Sequence, residues 1–403
     1  MGCQKASVMS GVAAVPCPAE ATFEPRRAEP VRVRVFEGFR EAETLWRTLE
    51  ESGAATPYQR FDWARAFVEA ASPGADVKIL AMLDGAGQPL ALLPLAVERQ
   101  AGLRIAAGIG GKHANFHLPL LAPGAGAGLA EGEMLGALRR AAATVGIDAY
   151  ALGSVPRIWG DVSIPLTAVG TPSPSNAYEV RLERDPDATA HRSMSNEARK
   201  RLRNKVRGLA KLGEVVFLQA RTEAEVDTLL AAFFAQKEDR FRDLGVTDPF
   251  AERGIRDFIR AASVGGLADG RPAIELYGLL VGEQVAAVLG GAADARRLSG
   301  MFISFAACQE ITKYSPGDIL VSHIVRDQCL RGRSFFDLGV GEARYKRTFC
   351  DDTVELVDVF LPVSLRGRGY ALARRAVAGL KRRVKQNPHA MRLVAKLRRA
   401  TAA

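Results

Sequence analysis

Residues 314–349 read YSPGDILVSHIVRDQCLRGRSFFDLGVGEARYKRTF, and the order of patterns within them decides the architecture. Pro316-Gly317 immediately precedes a helix predicted over 318–330. That helix leads into a buried strand over 334–338, which breaks at Gly339 and Gly341 and runs on into Glu342, Arg344, Tyr345 and Lys346. Upstream lies a strand meander at 274–280, 285–290 and 297–305, with a turn at VGEQ. Downstream, 354–362 is expected to close the sheet. Antiparallel strands, then a helix, then a strand beside the meander give a mixed, mostly antiparallel sheet with helices on its faces, not a doubly wound one. Where the third meander strand and the strand after the helix diverge, a cleft is expected, with the helix N-terminus pointing into it.

The same order occurs earlier in the chain. LAMLDGAGQPLALLPL (80–95) parallels LYGLLVGEQVAAVLGG (276–291), and DAYALGSV (148–155) parallels SFFDLGVG (334–341). The predicted organisation is a flexible leader over 1–30, a first α/β copy over 31–172, a second over 173–365 and a basic helical tail over 366–403. The linker falls at TPSPSN, 171–176.

With 403 residues, 48% hydrophobic and 25% charged, the chain has room for two such domains. The longest apolar runs, 90–97 and 285–293, are strand-length and short of the ~20 residues a bilayer needs. The first 30 residues lack a charged segment followed by an apolar one, so they make a poor signal peptide, and Ala6 stands where a myristoylation motif wants Ser or Thr. Five scattered cysteines, none at CxxC spacing, point to lone thiols in a reducing cytoplasm and to no metal. Between Arg366 and Ala403 stand twelve Lys and Arg and no Asp or Glu, so the preceding residues sum to −2 of the overall +10. A near-neutral body with a basic tail makes nucleic acid an unlikely general partner and suits an anionic membrane surface at the inner face.

Two clusters carry candidate chemistry. Gly317 lets a ligand approach the backbone, and the free N–H groups of the helix start suit a phosphate. An ordinary turn has the same composition, and Asp318 can occupy those N–H groups as a cap. In the second cluster, Lys346 can neutralise a phosphate or stabilise an oxyanion, and Tyr345 can protonate a leaving thiolate. Glu342 or Asp337 can accept a proton from an amine. The alternative is a turn capped by Asp337 with Glu342 and Lys346 as an exposed pair. Of five histidines, His323 lies in a helical pattern, and His113 and His117 share a first-half loop, GGKHANFHLP. They offer no catalytic triad and no metal spacing. Seven Lys and Arg between Arg199 and Lys211 form either a phosphate-binding helix or a solvated face.

Four stretches taken together carry a resemblance: TPYQRF with WARAFVEAA, SNEARKRLRNKVRGLAKLGEVVF, YSPGDIL and FDLGVGEARYKRTF. Over about 31–363 the chain resembles the GNAT-fold acetyltransferases of the CelD/BcsL-like type associated with cellulose biosynthesis, relatives of the Fem-type peptidyltransferases. The resemblance implies a tandem GNAT-like fold whose second copy is catalytic. Acetyl-coenzyme A or another acyl-coenzyme A would be the co-substrate, and the amine of a small molecule or cell-envelope precursor the acceptor. It places the family's site on Phe336, Asp337, Gly339, Tyr345 and Lys346, with Glu342 beside them. The helix start falls on Pro316, Gly317 and Asp318, and the basic helix on Arg199, Arg203 and Lys205. The usual glycine loop for the coenzyme A diphosphate is missing from 309–314, QEITKY. That keeps two alternatives open: an aminoacyl-tRNA donor, as in Fem-type enzymes, and a non-catalytic scaffold of an exopolysaccharide machine.

Overall fold

The computed structural model describes residues 30–125 and 129–387. The predicted leader, Cys3 and Cys17, and the tail beyond 387 lie outside these residues. Two sheets carry the chain. The first contains β1 (Arg32–Phe36), β2 (Asp76–Leu83), β3 (Pro89–Gln100), β4 (Leu103–Gly108) and β5 (Ala149–Pro156). The second contains β6 (Ala177–Arg181), β7 (Val215–Gln219), β8 (Ile274–Val281), β9 (Gln284–Ala293), β10 (Arg297–Phe305), β11 (Phe335–Val340) and β12 (Asp352–Val354). β13 (Leu356–Pro362) completes the first sheet.

The two sheets have one plan. In the first, β1, β2, β3 and β4 are antiparallel neighbours, and β5 then lies parallel to β4. In the second, β7, β8, β9 and β10 repeat the antiparallel run, and β11 lies parallel to β10. Beyond β11 and β5 each sheet continues with a strand from another part of the chain, followed by a short edge strand, β12 in the second sheet and Thr171–Pro172 in the first. β6, which follows the first copy, pairs antiparallel with β11, and β13, at the end of the second, pairs antiparallel with β5. This corrects the expectation for 354–362. Only Asp352–Val354 edges the second sheet, and Leu356–Pro362 closes the first. A run of seven mostly buried residues satisfies either sheet, so alternation alone cannot choose between them.

Helices cover the faces. In the first half these are α1 (Phe39–Ser52), α2 (Phe61–Ala71) and α3 (Glu131–Val145). In the second they are α4 (Pro186–Ser193), α5 (Asn196–Leu209), α6 (Glu223–Leu244), α7 (Ile255–Val264) and α8 (Pro316–Leu330), and α9 (Leu365–Gln386) ends the described chain. Sequence signals set their ends. Thr222 and Glu225 form a capping box that starts α6, and Gly245 in the left-handed region stops it. Pro316 opens α8 at a position where its missing N–H costs nothing. α5 and α8 pack on one face of the second sheet around Leu209, Ile319, Leu320 and Ile324. α6, α7 and the other face join the first half in one continuous core that holds Trp46, Trp63, Phe116, Phe233 and Phe258. Arg60 fixes the join by donating to the carbonyl oxygens of Arg271, Pro272 and Ala293 across it.

A buried ion cluster holds the far end of α8. Glu275 on β8 accepts two hydrogen bonds of 2.7 Å from Arg333 and two of 2.8 Å from Arg331. Burial alone would raise the Glu275 carboxyl, but the two guanidinium groups hold it down at about 2. The C-terminal end of α8 is thereby tied to the sheet, which fixes where its N-terminus points.

Candidate functional site

β10 and β11 pair for only three residues, Arg297 to Ser299 opposite Phe335 to Asp337. They then part, as the sequence led one to expect. β10 continues to Phe305, while Gly339 (φ +77) and Gly341 (φ +95) turn β11 away. At the divergence β10 carries a bulge. Gly290 pairs with Phe302 and Gly291 with Gly300, so Met301 has no ladder partner. The walls beyond it are half-open: Met301, Ile303 and Val340 are intermediate in burial and Phe305 is 39% exposed.

The floor of this divergence is a buried polar chain built by both halves. Asn115 Nδ2 donates to Tyr58 Oη at 2.7 Å and to the Gly300 carbonyl at 2.9 Å. Tyr58 Oη lies 2.9 Å from Ser299 Oγ, which donates to Asp337 Oδ1 at 2.7 Å. Asp337 also accepts from Gly339 N at 3.1 Å and touches Arg297 at 3.4 Å. Arg297 is paired with Glu179, directly across from Asp337 in the ladder, and lies between the rings of Trp159 (4.0 Å) and Phe335 (4.6 Å). Burial pushes Asp337 up to about 6, against the pull of Arg297 and Ser299. Since Asn115 can only donate here and Asp337 accepts, the donors run in one direction and end on the carboxylate.

Asp337 is therefore completely buried and held by three partners, Arg297, Ser299 and the Gly339 N–H. It positions the floor and cannot reach an amine directly. Lys346 is also buried. Its ammonium donates to the carbonyls of Gly339 (2.9 Å) and Val340 (3.1 Å), pinning the loop that leaves β11, and burial lowers it to about 8. Tyr345 is half-buried and pushed up to about 12, chiefly by desolvation. Glu342 turns outward, where it pairs with Arg347 at 3.0 Å, away from Lys346 and Asp337.

At the start of α8, Asp318 does not cap the helix; no side chain does. Its carboxylate takes the Lys205 ammonium at 2.8 Å, and Ser315 (φ +50) forms the sharp turn before Pro316. Gly317 lies beside Ile303 and Phe305 with room for a methyl group, so no neighbour demands a glycine there. The 309–314 segment forms one helical turn at Gln309–Thr312, and Tyr314 after it packs so tightly on Gly208 that a Cβ there would lie 2.2 Å from its ring. A backbone cradle for a diphosphate is thus replaced by a packed turn. Arg199 bonds Asn196 and the Ala190 carbonyl, tying the start of its own helix, and Arg203 is exposed. His323 stacks on Phe217 within the core face, 5.4 Å away.

The equivalent divergence in the first sheet is filled. β4 and β5 pair over Ile105–Ala107 and Ala149–Ala151 and then part. His117 occupies the gap. Its Nδ1 lies 2.8 Å from the Gly153 carbonyl, and its ring lies so close to Gly108 that a Cβ there would be 2.2 Å from it. The loop GGKHANFHLP therefore does two things: His117 plugs the first divergence, and Asn115 floors the second. Sequence reading passed over Tyr58, Asn115, Arg297, Ser299 and Glu179. The only signal for them was a serine and an arginine among the apolar residues of β10. A cavity of about 720 Å³ lies elsewhere, between α1, α2 and α7, and its charged lining includes Arg47, Glu50, Asp62 and Arg271.

Comparison with known proteins agrees with this picture. Residues 196–347 match the model of the acetyltransferase (GNAT) domain. No curated protein sequence matches the chain. Among solved structures, FemX aligns over 84% of this chain and 99% of its own at 10% identity and a TM-score of 0.58. A Bacteroides thetaiotaomicron protein of unknown function aligns over 82% and 99% at 9% identity and 0.52. The C-terminal DUF2156 domain of an Agrobacterium fabrum chain named as a lysylphosphatidylglycerol synthetase aligns over 83% and 95% at 12% identity and 0.50. At these identities the likeness is one of fold. The chain is thus similar over residues 196–347 to the acetyltransferase (GNAT) family, and the matched segment contains the open divergence of β10 and β11.

Proposed function

We propose that this protein is an N-acyltransferase that moves an acyl group, acetyl in the simplest case, from an acyl-coenzyme A thioester to the amine of a small-molecule or cell-envelope precursor. The observation that carries the reading is the unpaired Met301 at the point where β10 and β11 part. A bulge at the mouth of a strand divergence breaks the regular alternation of the backbone, and an N–H turned into the opening there is suited to hold the oxygen of a thioester carbonyl as charge develops on it. The neutral amine nitrogen attacks the carbonyl carbon, a C–N bond forms and the C–S bond breaks. The departing thiolate takes a proton from Tyr345, which burial keeps protonated, and the proton released by the amine returns to Tyr345 through solvent. Lys346 positions the loop that carries Tyr345. Acetyl-coenzyme A at millimolar concentration is expected to raise the melting temperature, and Lys346→Ala is expected to abolish turnover with any accepted amine. An unchanged melting temperature with every acyl-coenzyme A tried overturns the reading.

The packed turn at Gln309–Thr312, where a diphosphate cradle would stand, favours a second reading with an aminoacyl-tRNA donor. Under it the purified protein carries tRNA that high salt removes, and coenzyme A esters leave its melting unchanged.

A further inference from the structure

A surface helix ordinarily buries its large apolar side chains and exposes its polar ones. α9 does the reverse. Gly367, Ala371 and Ala378 are its buried residues, and the two alanines pack on Phe360 of β13 and Ala151 of β5. Leu365, Leu372 and Leu380 are 79%, 66% and 64% exposed. With exposed Ala376 they recur at steps of seven, four and four, which lays them along one stripe on the side away from the sheet. Arg368 and Arg382 lie along one margin of that stripe, Arg375 between them turns back to the Phe360 carbonyl, and Arg366 and Lys381 lie towards the other margin. The helix holds eight Lys and Arg and no Asp or Glu.

We infer that this face of α9 docks on a membrane surface that contains anionic phospholipid. Small residues against the sheet let the helix lie close and leave its leucines free to enter the boundary between headgroups and acyl chains, while the flanking arginines meet lipid phosphates. Charge decides the occupant. A second copy would bring eight like charges against these eight, and a nucleic acid would meet the arginines but leave the leucines in water. Among the described residues no helix is long and apolar enough to cross a membrane, so the contact is one of lying on the surface.

The test is sedimentation of the full chain with phosphatidylcholine vesicles, with and without about one third phosphatidylglycerol. Leu372→Asp with Leu380→Asp alters only exposed side chains and is expected to weaken binding to the anionic vesicles at least about tenfold. Arg368→Glu with Lys381→Glu, one on each margin, is expected to weaken it by about fivefold or more for each residue. Unchanged melting temperatures establish that both variants are folded, and wild-type binding falls with salt. Equal binding to both vesicle types, or full binding by the leucine variant, overturns the inference. So does a wild-type protein that is dimeric in solution when the leucine variant is monomeric, because the stripe would then be covered by a second copy.

Discussion

Replacing Asp337 with Asn removes the charge at the floor of the site and keeps its shape. The asparagine carbonyl can still accept from Ser299 Oγ and Gly339 N, and Arg297 keeps Glu179 as its partner. In the folded protein the Asp337 carboxyl titrates at about 6, raised chiefly by burial, against about 3.9 in an unfolded chain. A raised acid binds its proton more tightly when folded. Its contribution to stability is therefore greatest below about pH 4 and is lost as pH rises through 6. The full shift of about two units corresponds to about 3 kcal/mol, of which about 2 kcal/mol is lost between pH 4.5 and 8. His117 opposes this in the same window. Burial depresses its ring, so stability falls as pH drops below about 6.5. Buried His113 and His323 act in the same direction, so total stability against pH mixes all of these groups, but the three histidines are common to wild type and variant. Urea unfolding of both proteins at steps from pH 4.5 to 8 isolates Asp337. Wild-type stability minus that of Asp337→Asn should fall by about 2 kcal/mol across the range. A flat difference would mean that Arg297 fully offsets burial, and a difference that rises with pH would refute the account of the floor altogether.

Two further outcomes follow from the packing of the divergences. Gly108→Ala puts a methyl group into the His117 ring, which its bond to the Gly153 carbonyl holds in place, so a loss of about 1–3 kcal/mol is expected in chemical denaturation. His117→Ala in the same chain should recover part of it, and simple additivity would mean that the plug is not what fills the gap. Tyr58→Phe removes the link between Asn115 and Ser299 but leaves Ser299 on Asp337 and Asn115 on the Gly300 carbonyl. Its expected cost is about 1 kcal/mol by the same measurement, and no measurable cost would mean that the chain through Tyr58 does not join the halves.

The repeated strand order, the parting of β10 and β11 and the helix start at Pro316 were legible because they rest on local patterns: alternation, glycine turns and a proline. The destination of Leu356–Pro362 was not, since a buried strand carries no label for its sheet. Charged residues misled for a different reason. Arg297 drew no attention in the sequence, yet Trp159, from elsewhere in the chain, covers it and Glu179 neutralises it. Lys346 reads as a free cation, and the two carbonyls it serves exist only once Gly339 has bent the strand. Glu342 and Asp337, adjacent in the sequence reading, go to opposite environments, the first exposed and the second fully buried. A period of two and a glycine hinge fix which side of a strand each residue occupies, but burial depends on what arrives from elsewhere in the chain.

That dependence also accounts for the inequality of the two copies. β13, at the end of the second copy, lies in the first sheet, so the two copies cannot be pulled apart without opening its ladder with β5. Once joined in this way, the copies share a single core and one can specialise at the other's expense. His117 fills the first divergence, which stiffens that half and leaves no room for a ligand between β4 and β5. Two residues earlier in the same loop, Asn115 crosses to the second divergence and bonds the Gly300 carbonyl beside the unpaired Met301. A rigid first half thus sets the floor of the site in the second, and a catalytic arrangement gains precision when its supports are locked by packing. The plug and the floor are parts of one loop, and closing the first cleft is what holds the second one in place.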